Sequence, residues 1–65
     1  MSAEDVGAEI KRVRVGRGMS LRDLGREADV GFGNLCDIEN GKKSPKVSTL
    51  RKIARGLGVH PGELL

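Results

Sequence analysis

The sequence predicts an all-α domain of five short helices, and three observations carry the prediction. Apolar residues recur three and four apart along the 65 residues and nowhere alternate for long, which is the pattern of helix faces and not of strands. Glycine and proline cut that pattern into helix-length pieces, at Gly16 and Gly18, Gly31, Gly41, Pro45, Gly58 and Pro61. A lone cysteine and a lone histidine supply neither a disulfide nor the four ligands of a structural zinc, so helix packing has to hold residues 1–65 together as one domain. A core this small is worth only about 3–5 kcal/mol of net stability.

Taken in order, the first helix spans about Ala3 to Gly16. Val6, Ile10 and Val13 lie at i, i+4 and i+7, on one face. The second starts after Ser20, an N-cap residue with Asp23 three positions on, and turns Leu21, Leu24 and Ala28 inward before Asp29-Val30-Gly31 breaks it. The third runs from about Phe32 to Asn40 with Leu35 and Ile38 inward and Gly41 placed to end it. After the polar loop Lys42-Lys43-Ser44-Pro45-Lys46, the fourth begins near Ser48 and carries Leu50, Ile53, Ala54 and Leu57 on one side, ending at Gly58. Pro61 sits where a first-turn proline belongs, after His60 as a helix-start residue, and opens a fifth short element that brings Leu64 and Leu65 back to the core.

The net charge is a mild +3, but its distribution is uneven. No acid lies between Asn40 and Gly62, while Lys42, Lys43, Lys46, Arg51, Lys52 and Arg55 do. Such a segment suits a polyanion, nucleic acid before an anionic membrane; a solvated basic surface is the plain alternative. One Phe with no Trp or Tyr leaves out the stacking platforms of most single-strand and RNA readers, so duplex DNA is the better fit. No apolar run approaches the roughly 20 residues of a membrane span. The lone thiol and the lack of a signal peptide point to the cytoplasm, in association with the nucleoid. With no nucleophile–base pair or phosphate-cradling glycine loop, no enzyme activity, metal, cofactor or small-molecule ligand is expected.

The second and third segments, over about residues 20–40, are short helices joined by a tight turn near Val30-Gly31. That is helix-turn-helix spacing, which small domains that bind nothing also show. The match becomes specific with Ile10 and Arg14, Gly18-Met19-Ser20, Leu24, Val30 and Leu35. It continues through Ile38-Glu39-Asn40-Gly41-Lys42, Pro45, Leu50, Ile53-Ala54, Leu57-Gly58-Val59 and Glu63-Leu64. On these residues the stretch 10–65 resembles the Xre/Cro-type helix-turn-helix family, whose fold is that of the lambda-repressor DNA-binding domain. The resemblance implies a transcriptional regulator that places its third helix in the major groove of duplex DNA, commonly as a homodimer. The dimer surface is expected around Val59 to Leu65.

The resemblance also implies an ion pair between Arg14 of the first helix and Glu39 at the end of the third, which would fix the angle between them. Helical spacing puts Phe32, Gly33, Cys36, Asp37 and Asn40 on one outer face. The family's base-contacting positions fall on Phe32, Gly33 and Asp37, with Cys36 alongside. Phe32 offers apolar contact, for example to thymine methyls. Gly33 permits close backbone approach, and Asp37 could accept from cytosine but would be repelled by phosphates. Phosphate contacts are expected from Asn40, Gly41, Lys42, Lys43, Ser44 and Lys46, with Arg22 reaching a flanking phosphate.

Three departures from the family pattern stand out. Leu21 replaces a phosphate-binding Gln and reads as core cover, Gly25 replaces a packing Ala, and Cys36 replaces a small polar residue. Oxidation of Cys36 as a switch is disfavoured by the neighbouring Asp37. Phe32, Gly33, Asp37 and Leu21 support the alternative, a protein-interaction module on the same fold, such as an antitoxin component or a bridging coactivator.

Overall fold

A computed structural model describes residues 2–65. The order of elements is α1 (Ala3–Gly16), α2 (Leu21–Ala28), α3 (Phe32–Glu39), α4 (Val47–Leu57) and a closing 3-10 turn (Pro61–Leu64). The first two helices start at matched signals. Ser2 and Asp5 form a capping box at α1, each side chain accepting from the other's backbone N–H at 3.2 and 3.3 Å. Ser20 and Asp23 do the same at α2 at 3.0 and 2.9 Å. Neither α3, which follows Gly31, nor α4, which follows Lys46, has a side-chain cap.

All four helices stop in the same way. A left-handed residue lies one or two positions past each one, and paired backbone bonds close the turn back onto the helix, as in a Schellman motif. After α3, Gly41 N–H donates to the Ile38 carbonyl (3.1 Å) and Lys42 N–H to the Asp37 carbonyl (2.9 Å). Gly18, Gly41 and Gly58 occupy three of these sites with φ of 71–76°, and Asp29 occupies the fourth at φ 56°. Only the last is a residue for which the conformation costs something.

Packing pairs α1 with α3 and α2 with α4. Two glycines let the pairs close. A Cβ on Gly7 would run into the Ile38 carbonyl oxygen and lie 2.9 Å from that of Glu39, and one on Gly56 would meet the Cβ and N of Ala28 at 3.0 Å. Ile10, Leu24, Leu35, Ile38, Ile53, Leu57 and Leu64 are fully buried between the helices, each contributing about 1.5–3 kcal/mol of burial free energy. Val13, Met19, Leu21 and Val59 line the edge of this core, half-buried. Leu21 thus covers the core in part, as its replacement of a polar residue suggested.

Three expectations need correction. The fifth helix is a single 3-10 turn, closed by Glu63 N–H to the His60 carbonyl at 2.9 Å; four residues that open on a proline give no room for an α-helical ladder. Leu64 is buried but Leu65 is 60% exposed, because consecutive residues of so tight a turn face different ways. And α4 begins at Val47, one residue before Ser48, with Lys46 at its cap.

Candidate nucleic-acid interface

The position of α3 is set from behind. Arg14 of α1 donates from Nε and Nη2 to the two carboxylate oxygens of Glu39 at 2.7 and 3.0 Å, and from Nη1 to the Met19 carbonyl at 2.7 Å. Both side chains are almost out of solvent, at 10% and 3% exposure. One guanidinium therefore joins α1, the loop before α2 and the end of α3. Bidentate geometry and the third bond leave neither charge uncompensated.

With Leu35, Ile38 and Glu39 turned in, the other side of α3 faces out. Phe32, Gly33 and Asn40 are exposed, while Cys36 and Asp37 are half-buried on the same side. Phe32 begins the helix with 43% of its surface exposed, flanked by Gly31 and Gly33, where a Cβ would meet nothing within 4 Å. The guanidinium carbon of Arg22, from the first turn of α2, lies 4.4 Å from the centroid of the Phe32 ring. The residue expected at a phosphate and the residue expected at the bases thus form one cation–π unit.

Asp37 has a cation of its own. Lys43 Nζ lies 3.9 Å from its carboxylate and donates to Asn34 Oδ1 at 3.2 Å, so the loop lysine is tied to two residues of α3. Asn34 was not among the expected site residues. The available signal was its separation of one turn from Asp37, which places both on the flank nearest the following loop. Asn34, Lys43, Ser44, Pro45, Lys46 and Thr49 line a shallow cleft between α3 and that loop.

The loop itself exposes Lys42, Lys43, Ser44 and Lys46. The backbone N–H groups of Asn40 and Gly41 are already used, donating to the Cys36 and Ile38 carbonyls. Asn40 keeps its side-chain amide outward, 3.5 Å from Cys36 Sγ, and Gly41 serves through its left-handed turn, packed on Glu4. Arg51, Lys52 and Arg55 are exposed on α4. Asp23, in the cap of α2, titrates below its ordinary 3.8, chiefly through the hydrogen bond from the Ser20 backbone and then from the Ser20 hydroxyl. Among the described residues no cluster of three or more His, Cys, Asp or Glu is placed to hold a metal, and no helix is long and apolar enough to cross a membrane.

Two short helices meeting at a tight turn, the second exposed beside a basic loop and braced from within, define a helix-turn-helix domain. The chain belongs to the HTH_3 helix-turn-helix family, whose pattern matches residues 10–64. It is 40% identical over 62 residues to an uncharacterized HTH-type transcriptional regulator of Mycobacterium tuberculosis, covering 95% of this chain but 24% of that protein. It is 32% identical to the control protein C.BamHI of Bacillus amyloliquefaciens, covering 91% of this chain and 74% of its relative. Among solved structures, the restriction-modification controller protein C.AhdI of Aeromonas hydrophila shares the fold with a TM-score of 0.94. It is 21% identical, and the match covers 97% of this chain and 96% of that one. An HTH_3 family transcriptional regulator of Vibrio cholerae superposes with a TM-score of 0.92 at 32% identity, covering 95% and 35% of the two chains. The chain thus spans about a quarter of the mycobacterial regulator and most of the short controllers.

Proposed function

We propose that this chain is the DNA-binding domain of a transcriptional regulator, holding duplex DNA with α3 in the major groove. The observation that carries the reading is the placement of cations over the two residues of α3 least suited to DNA. Arg22 covers Phe32, and Lys43 faces Asp37, so the apolar ring and the carboxylate each come with a basic partner. The exposed lysines beside them, Lys42, Lys43 and Lys46, favour a polyanion as the partner. The names of the relatives, HTH-type transcriptional regulators and control proteins, support the same reading.

In this arrangement Phe32, Gly33, Cys36 and Asp37 face the bases. Asn40, Lys42, Lys43, Ser44 and Lys46 lie along one phosphate strand, with Gly41 shaping the turn between them. Arg22 borders both surfaces. Lys43 does two things, drawing the loop toward α3 and offsetting the charge of Asp37. Two copies bind related half-sites, meeting through the region from Val59 to Leu65, where Leu65 is exposed.

Titration with random-sequence duplex at two salt concentrations tests the proposal. Several neutralised phosphates give log K against log salt a slope of roughly −3 or steeper. Replacing Lys42 and Lys46 with Ala makes that slope shallower on every sequence. Absence of binding to any duplex at low salt refutes the reading.

A further inference from the structure

We propose that Arg22 and Phe32 act together as the specificity-determining unit of this domain, reading a guanine with a thymine at the neighbouring base pair. The inference rests on the reading of α3 as the recognition helix and says what that helix reads. Phe32 opens α3, where a helix-turn-helix reaches deepest toward base edges, yet it carries no hydrogen-bonding group. Arg22, from α2, brings one to the same place. Its guanidinium carbon is 4.4 Å from the ring centroid, and both side chains are exposed.

Among the described residues Arg22 forms no ion pair, since Asp23 beside it is held by the Ser20 cap and by Arg26 at 2.9 Å. Its donors are therefore open. The contact with the ring favours a guanidinium position beside the start of α3, and a planar fork is what a guanine O6/N7 edge requires. A phosphate can take the same fork, so what favours a base is the place of Arg22, held beside Phe32 at the start of α3. The exposed part of the Phe32 ring is an apolar surface next to that fork, and the one apolar group in the major groove is the thymine methyl. Gly31 and Gly33 leave open space on both sides of Phe32, so the bases can come close.

The test uses chemically altered bases. A site is first selected from a random duplex library with the unaltered protein, which should return guanine beside thymine. The site is then rebuilt with a guanine analogue lacking N7, or with uracil in place of thymine to remove the methyl. The guanine analogue should weaken binding about ten-fold, as expected for loss of a bidentate contact, and uracil about three- to four-fold. Arg22→Ala should become indifferent to the first change and Phe32→Ala to the second. Arg22→Lys should not recover the preference for guanine, although it keeps the charge. If Arg22→Ala weakens all duplexes equally and Arg22→Lys restores them, Arg22 is a phosphate contact and the inference fails while DNA binding stands. If no duplex binds at low salt, the functional reading fails with it.

Discussion

Replacing Gly7 with alanine should remove most of the stability of this domain, although Gly→Ala inside a helix ordinarily stabilises. The usual gain is about 1 kcal/mol from helix propensity. Here the added Cβ points at the backbone of α3, overlapping the Ile38 carbonyl oxygen and standing 2.9 Å from the Glu39 oxygen and 3.1 Å from the Glu39 carbonyl carbon. Carbon–oxygen contacts settle at roughly 3.3–3.6 Å, and backbone atoms of a packed helix cannot swing aside as a side chain can. The helices must separate, which loosens buried Ile38 and strains the Arg14–Glu39 pair one residue on. Overpacking of this kind costs about 1–3 kcal/mol and sometimes more. With the coupled loss of Ile38 packing, a net loss of about 2–3 kcal/mol is expected, against a total of about 3–5 kcal/mol.

Urea unfolding followed by far-ultraviolet circular dichroism measures the change. Gly16→Ala, at the end of the same helix, is the control, because its Cβ meets nothing within 4 Å. It should be neutral or stabilising by up to about 0.5 kcal/mol. If the two variants unfold within about 0.5 kcal/mol of each other, close approach at Gly7 is not what sets the spacing of α1 and α3.

Other substitutions probe the braces and caps. Arg14→Ala or Glu39→Ala strands a charge with a partner that is 90% or more buried, and each should cost about 3–5 kcal/mol in urea unfolding. The double replacement Arg14→Met with Glu39→Leu should recover much of that loss; if it is as unstable as the single variants, an uncompensated charge is not the cause. Asp29→Gly relieves the one non-glycine left-handed residue and should raise stability by about 0.5–1 kcal/mol, read as an upward shift in the thermal midpoint. The depressed titration of Asp23 means its carboxylate stabilises the fold above its ordinary 3.8, and that contribution is lost as pH falls below this value. Asp23→Asn, which removes the titrating group itself, should therefore be less stable at neutral pH and show a smaller further loss on acidification than the unaltered chain. An unchanged acid dependence would place the acid-sensitive group elsewhere.

Most of the fold was legible because its signals are local. Ser20 with Asp23, Gly41 and Gly58 past helix ends, and the run Leu50, Ile53, Ala54, Leu57 each declare an element over a few residues. What was not legible depends on distance in space. Gly7 looks like a flaw in an otherwise regular helix until Ile38 is brought against it. Gly56 gives no more warning of Ala28. Pro61 signalled a helix start correctly, but a proline signal carries no length, and the result was a 3-10 turn. On the outer face, spacing grouped Phe32, Gly33, Cys36 and Asp37, while Arg22 over Phe32 and Asn34 with Lys43 required the α2–α3 turn and the loop path. Pairings between elements are where periodicity carries no information.

The Arg14 clamp has a consequence for how such a domain can change. It anchors the last turn of α3 from the inside, together with Leu35 and Ile38, and none of these residues faces outward. The outward residues Arg22, Phe32, Gly33 and Asp37 supply almost nothing to the core. Structural integrity and target choice are therefore written in separate sets of side chains. A lineage, or a designer, could rewrite the second set a residue at a time without passing through an unfolded chain.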